Sequence, residues 1–407
     1  MVSVRRIVRD AMLGMSTAVM LSGVAFAAGD TIRIGVLNDQ SGPYADFQGI
    51  GSVLAAQMAV EDYGGKAAGR KVEVLSADHQ NKTDVGATIA RQWIDTGGVD
   101  MIADLPNSAV ALAVSNVVRD KNKVLIGSGA GTSELTGKQC SPNTVHWTYD
   151  TWALGHSLAH AVVQRGGKSW FFITADYAFG HDLERQASEQ VAKDGGKVLG
   201  AVRHPINVPD FSSYLLQAQS SGAQVVGLAN AGADETNAIK QAAEFGLTPQ
   251  QTIVGLVFDL NNVPSIGLPA AQGLLTVNAW YWDINDSSRA WAKRFEERHP
   301  KHDMPNQHQA GVYSGTLQYL KAVDKLGSAE DGKAVVAAMK AIPIDDSLFG
   351  KGQVREDGRA VHAMYLLQVK APAQSKGKWD VFNVLATIPG EEAFRPLAEG
   401  GCPLVKP

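Results

Sequence analysis

The amino-acid sequence predicts an α/β protein of two lobes, each a mainly parallel sheet covered by helices on both faces, joined by a hinge of three crossovers. Three observations carry this. Apolar β-type runs alternate with helical runs from about residue 31 onward, the signature of βαβ units. The alternation occurs twice, with a loop-rich break at "TGKQCSPNTVHWTYD", residues 136–150. And a chain of 407 residues exceeds what one core holds, since domains run to ~100–200 residues each.

Residues 1–27 stand apart from that pattern. Arg5, Arg6 and Arg9 precede an uncharged run, "AMLGMSTAVMLSGV", that ends in "AFAAGD". This is the pattern of a secretory signal peptide with an Ala-x-Ala site, cut after Ala27. The run is shorter than the ~20 residues a membrane span requires. No later stretch is long and apolar enough to span a bilayer either, so the mature chain is expected to be exported and soluble.

In the first lobe the strand-like runs are "IRIGVL", "KVEVLSA", "VDMIA" and "KVLIG", separated by helical patterns such as "GSVLAAQMAVEDYGG" and "SAVALAVSNVVRD". In the second they are "SWFFIT", "KVLGAVR", "QVVGLA" and "TIVGLV", with helices such as "LERQASEQVAKDGG" and "TNAIKQAAEFGL" between them. Several helices end in Gly, which takes the left-handed conformation without a Cβ clash. After about residue 276 the order changes to three helical stretches, "GQVREDG" and a late strand, "AMYLLQV". That material is expected to return and complete both lobes. The resulting division is 28–149 with 277–360 for the first lobe, 150–276 with 361–380 for the second, and a C-terminal tail at 381–407.

Without residues 1–27 the chain loses three Arg and one Asp from 37 basic and 41 acidic residues, leaving 34 against 40, a net charge of −6. Such a balance argues against nucleic acid or an anionic membrane as partner. Composition is 45% hydrophobic and 19% charged, enough apolar material for two cores and incompatible with disorder. The two cysteines, Cys140 and Cys402, form an even count in an exported chain and are expected to pair.

In open α/β sheets ligands lie outside the carboxyl ends of the strands. That places the Ser41-Gly42-Pro43-Tyr44 loop at one lip of an interlobe cleft. Asp176 to Phe179, the first β-to-α loop of the second lobe, stands opposite. Tyr44, Phe47, Tyr149 and Phe179 would line the cleft, since aromatics supply large apolar area and stack on flat ligands. Asn230, after "QVVGLA", is a further candidate.

Taken together, "IRIGVLNDQSGPYADFQG", "VLIGSGAGTSELTG", "ITADYAFGHDLERQ" and "QAAEFGL" resemble the type I periplasmic binding proteins of ABC importers, in the branched-chain-amino-acid-binding family. The similarity covers essentially the whole mature chain in the same order. It implies two Rossmann-like lobes in the type I periplasmic binding protein fold, closing on a small carboxylate solute and presenting it to membrane permease subunits. It also implies a monomer acting in the periplasm without a cofactor. The resemblance assigns the ligand carboxylate to Ala130, Thr132 and either Asn107 or Ser108, the last two being N-cap candidates as well.

Other motifs point away from chemistry. "GSGAG" lacks the third Gly of a dinucleotide fingerprint, position 132 being Thr132. His299, His302 and His308 in "HPKHDMPNQHQ" fit no zinc spacing, and the stretch is expected to be a solvated loop. There is no GxSxG, HExxH or Walker A pattern to nominate an enzyme. A secreted α/β enzyme and a receptor domain are the rival classes; a receptor would continue into a membrane helix, whereas this sequence ends at "CPLVKP".

The ligand class turns on "TIVGLVFDLNN". Where the family's branched-chain amino acid binders place a glutamate for the ligand ammonium, this chain has Val257. A buried ammonium without an anionic partner costs several kcal/mol. The expected ligand is therefore an aromatic acid of the benzoate or cinnamate type, and the chain is also similar to the subgroup associated with aromatic-acid uptake. Asp259 either replaces the missing glutamate, which keeps an amino acid ligand in play, or accepts a phenolic hydroxyl.

Overall fold

The computed structural model describes residues 31–248 and 250–406; the expected signal peptide lies outside the described residues. The chain opens with β1 (Thr31–Asn38), α1 (Gly49–Asp62), β2 (Lys66–Ala67), β3 (Arg70–Asp78), α2 (Thr83–Asp95), β4 (Val99–Asp104), α3 (Ser108–Asp120), β5 (Val124–Gly127) and β6 (Thr144–His146). These strands form a six-stranded sheet in the order β2-β3-β1-β4-β5-β6. It is parallel apart from the short β2, which runs antiparallel to β3. β4 and β5 are buried along their whole length, which explains their mostly apolar character, interrupted in β4 by Asp100 and Asp104.

The second unit repeats the scheme with α4 (Thr151–Gln164), β7 (Ser169–Ala175), α5 (Ala178–Lys193), β8 (Lys197–His204), α6 (Ser212–Ser220), β9 (Val225–Ala229), α7 (Ala233–Glu244) and β10 (Thr252–Gly255). Its sheet, β10-β9-β7-β8, is wholly parallel. Two short helices, α8 (Asn262–Ile266) and α9 (Leu268–Ala271), lead to β11 (Leu275–Asn278).

From there the chain goes back to the first unit. After α10 (Asp286–Arg298), α11 (Gln307–Leu326) packs along α1, and α12 (Gly332–Ala341) packs on α11. That contact explains why α1 is apolar nearly all round: it lies between the sheet and α11. β12 (Ile344–Asp346), β13 (Gly350–Val354) and β14 (Ala360–Val361) make a small antiparallel sheet.

β15 (Met364–Val369) then pairs with β11, and β16 (Phe382–Ile388) with β15. Leu367, Val369 and Phe382 join the core of the second unit beside Phe171 and Phe258. The segment from residue 381 thus begins with a paired strand.

Arg359, fully buried, ties two of the crossing segments. Its guanidinium donates to the Tyr149 carbonyl at 3.0 Å, sits 3.5 Å from the Asp150 carboxylate and lies over the Phe394 ring. The expected disulfide is present: Cys140 and Cys402, 262 positions apart, are bonded with Cα atoms 5.6 Å from one another. Among the described residues no helix is long and apolar enough to cross a membrane.

Candidate functional site

The carboxyl ends of both parallel sheets face each other across one narrow cavity of about 20 Å³. That is room for about one water molecule, well short of the ~300 Å³ at which small-molecule sites begin. The first unit contributes Tyr44, Phe47 and Gln48 after β1, Pro106 after β4, Gly129 after β5, and His308 at the start of α11. From the second come Tyr177 and Phe179 after β7, Ala231 after β9 and Val257 after β10, while Tyr149 comes from the crossover.

The Ser-Gly-Pro-Tyr loop is held by Asp39. Its carboxylate accepts the Gly42 amide at 2.7 Å, the Tyr44 amide at 2.9 Å and the Asn81 side-chain amide at 2.7 Å. So fixed, the loop reaches the opposite unit twice. The Tyr44 and Tyr177 hydroxyls are 2.7 Å apart, and the Pro43 carbonyl accepts the Ala233 amide at 3.1 Å. Gly232, with φ at +68°, permits the second contact; a Cβ there would stand 2.4 Å from the Pro43 oxygen.

The glycine-rich loop after β5 is glycine for proximity. A Cβ on Gly129 would meet the Gln48 amide at 2.4 Å, and one on Gly131 would meet the Phe179 ring at 2.6 Å. Beyond it, Thr132 and Ser133 turn to Asp182 of α5. One carboxylate oxygen of Asp182 accepts the Thr132 hydroxyl at 3.0 Å, the Ser133 amide at 2.9 Å, the Ser133 hydroxyl at 3.0 Å and the Thr151 hydroxyl at 2.6 Å. Burial alone would raise the Asp182 carboxyl; the Thr151 hydrogen bond, the Arg185 charge and the Ser133 donors outweigh it and hold it below the usual carboxylate value.

Tyr44, Phe47, Tyr149 and Phe179 are therefore brought together as the sequence suggests. The other candidates do not reach the cavity wall. Ser41 is exposed and donates to Asp78 at 2.5 Å, and Asp176 is exposed beside His181. Asn107 caps α3 through the Ala109 and Val110 amides. The Ser108 hydroxyl accepts the Thr132 amide at 3.1 Å, and the Ala130 carbonyl accepts His146 Nε2 at 2.7 Å. Asn230 contacts His204 at 3.0 Å. The Asp259 carboxylate accepts the Leu260 amide at 2.7 Å and the Gln307 side chain at 3.0 Å, and stands 3.0 Å from His308 Nε2.

One expectation is corrected. The stretch around His299 to His308 is not simply a solvated loop. Asn306 and Gln309 form a capping box that starts α11, and this buries His308 in the cavity wall. Its ring stacks on Phe47 at 5.7 Å and meets the Tyr149 edge at 5.2 Å. Asn306 followed three residues later by Gln309 was the signal available in the sequence. Tyr177 and Gln48 were missed as well, although both lie within quoted motifs.

Acidic groups surround the cavity from behind. Burial pushes the Asp104 carboxyl up to about 6, despite the hydrogen bond from the Asn38 side chain. Glu235, packed against Gly255, is raised well above the usual range by burial, and neither of its oxygens has a hydrogen-bond partner. Among the described residues no Lys or Arg lines the cavity. Among the described residues no cluster of His, Cys, Asp and Glu is arranged to hold a metal ion.

A family-level comparison matches residues 31–378 to the family described as periplasmic binding protein. Among curated relatives, Leu/Ile/Val-binding protein homolog 6 of Brucella melitensis biotype 1 is 25% identical, covering 80% of this chain and 84% of its own. Among solved structures, a periplasmic binding protein from Burkholderia mallei is 49% identical with a TM-score of 0.90, covering 93% of this chain and 100% of that one. A branched chain amino acid ABC transporter periplasmic ligand-binding protein from Burkholderia xenovorans LB400 is 42% identical with a TM-score of 0.81, over 92% and 99% of the two chains. The fold is also shared, at 21% identity and a TM-score of 0.79, with an R. palustris ABC transporter solute binding protein solved with benzoate; the match covers 88% of this chain and 97% of that one.

Proposed function

The chain belongs to the periplasmic binding protein family, and from that premise we propose that it closes its two α/β units on a small aromatic acid, of the benzoate or cinnamate type, and delivers it to an ABC permease. The family is one of solute-binding proteins and not of enzymes. In this reading the protein acts as a monomer in the periplasm, exported through its cleaved signal peptide.

The observation that carries the proposal is the convergence of five aromatic side chains, Tyr44, Phe47, Tyr149, Tyr177 and Phe179, on one narrow cavity. Flat rings stack on flat ligands at small entropic cost. Val257, apolar and 2% exposed, forms the wall where an ammonium would need an anion. The benzoate complex of the R. palustris relative lends support from a shared fold.

A second reading, an amino acid ligand, is favoured by Glu235. A fully buried carboxylate without a hydrogen-bond partner, near the Val257 segment, is the kind of group an ammonium would satisfy.

A thermal-shift screen of the purified mature protein decides between them. Benzoate, 4-hydroxybenzoate and cinnamate are expected to stabilise it, by ~2.7 kcal/mol at a hundred times the dissociation constant. Stabilisation by leucine or valine, with none from any aromatic acid, would overturn the proposal.

A further inference from the structure

We infer that His308, protonated and braced by Asp259, receives the ligand carboxylate, so that binding an acid takes up a proton. This rests on the reading of the ligand as a small carboxylate, and it assigns the charged end of that ligand to a different wall from the one the family resemblance implies.

The first argument is occupancy. The donors of Thr132, Ser133 and Thr151, which together make an anion-receiving nest, already surround the Asp182 carboxylate. A ligand carboxylate entering there would have to displace a carboxylate of the chain itself, one that is also paired with Arg185 at 2.5 Å.

The second argument is charge. Among the described residues that line the cavity there is no Lys or Arg, and one side chain, His308, is able to carry a positive charge. His308 and Asp259 are each about 1% exposed, and His308 Nε2 lies 3.0 Å from the Asp259 carboxylate, off the axis of a good hydrogen bond. A carboxylate so placed orients an imidazole and stabilises its protonated form. Contacts from the Leu260 amide and Gln307 fix the Asp259 carboxylate in place.

The third argument is valence. His308 Nδ1 is 3.3 Å from the Gln48 side-chain nitrogen, which can only donate, so in this arrangement Nδ1 accepts and the ring is neutral. A proton added at Nδ1 removes that acceptor. Two donors, Nδ1–H and the Gln48 amide, then face each other, and Nδ1–H is satisfied either by an anion or, once the amide turns, by the Gln48 carbonyl oxygen. The Gln48 carbonyl oxygen, buried and without a partner, leaves the amide free to turn. The proton comes from solvent and stays on the imidazole, while the ligand remains a carboxylate.

The titratable groups facing His308 act in one direction. Asp259 lies at its Nε2, Asp104 is close enough to feel its charge, and Tyr149 meets its ring edge; Glu235 is further off, beyond Asp259. As pH rises, Asp104 gains a negative charge, which weakens an anion.

The test is calorimetry of the mature protein with benzoate and, separately, leucine, at pH 5.5 to 8, in buffers of differing ionisation enthalpy. The acid is expected to bind with uptake of a proton and to bind more tightly at low pH. His308→Gln is expected to abolish the uptake and weaken binding about ten- to a hundredfold, the worth of a charged hydrogen bond. Asp259→Asn, which keeps the shape, should lower the uptake while the melting temperature shows the fold intact. Tight binding of either acid with no proton uptake and a flat pH profile would overturn the assignment of His308 alone. Failure of both acids to bind would overturn the carboxylate reading and the assignment with it.

Discussion

Asp182, on the first helix turn but one of α5, receives the Thr132 hydroxyl of the opposite unit at 3.0 Å. The Ser133 amide and hydroxyl and the Thr151 hydroxyl converge on the same carboxylate oxygen. The two units are thus joined by a buried, charge-assisted network beside the cavity, and not by apolar contact alone. Such networks are strong when every member is satisfied, and they fail as a unit when one is removed.

Removing that carboxylate is expected to be costly. Asp182→Ala leaves buried donors on Ser133, Thr132 and Thr151 without an acceptor, a loss of about 2–4 kcal/mol in urea unfolding. The pH dependence has a definite sign. Because the folded Asp182 carboxyl is held below its unfolded value near ~3.9, its contribution is complete above that value and is lost as pH falls through the folded one. Wild type should therefore lose stability on acidification more steeply than Asp182→Asn. Equal slopes for the two proteins would count against the network.

Gly232 separates hinge closure from folding. An alanine at φ +68° costs roughly 1–2 kcal/mol of backbone strain whether the units are together or apart. Its Cβ would also press on the Pro43 oxygen, but only when they are together. Gly232→Ala is expected to weaken ligand binding about tenfold beyond any loss of stability. Small-angle scattering should show wild type contracting on saturating ligand and the variant contracting less. Identical scattering curves for wild type with and without ligand would refute the clamp itself.

The Cys140–Cys402 bond ties the C-terminal segment to the loop after β5. Next to it, the Arg395 guanidinium donates to the Ser133 carbonyl at 3.1 Å. Reduction, or a double Cys→Ser variant, is expected to lower stability by about 2–5 kcal/mol. Two titratable thiols in unreduced, denatured protein would show the bond absent from the molecule as isolated.

The sequence made the parallel strands legible where they are short, buried and mostly apolar, as in β4 and β5. Four cavity aromatics were legible for a related reason: each lies on or beside a β-to-α loop or crossover, where side chains meet solvent or ligand. What escaped was set by long-range contact. Nothing local to Thr132 reveals that Asp182, fifty positions away, takes its hydroxyl. His308 was hidden by its polar neighbours, since only the packing of α11 on α1 turns that face inward.

Val257 offers the sharpest test of ligand class. It lines the cavity in the second unit, 2% exposed, with the Glu235 and Asp259 carboxylates nearby. Val257→Glu adds a further carboxyl to that wall. If ionised, it repels a ligand carboxylate by roughly 3 kcal/mol at ~5 Å and an effective dielectric of ~20. If burial keeps it protonated, an incoming ammonium favours its ionisation and gains a partner. Both states shift preference the same way, from aromatic acids toward amine-bearing ligands. Calorimetry is expected to show benzoate weakened at least tenfold and leucine strengthened. Val257→Gln, of equal size and no charge, separates crowding from charge: it should weaken benzoate less and leave leucine unimproved. If Glu and Gln behave alike toward both ligands, the electrostatic account of Val257 fails, and with it the argument that this wall selects against an amine.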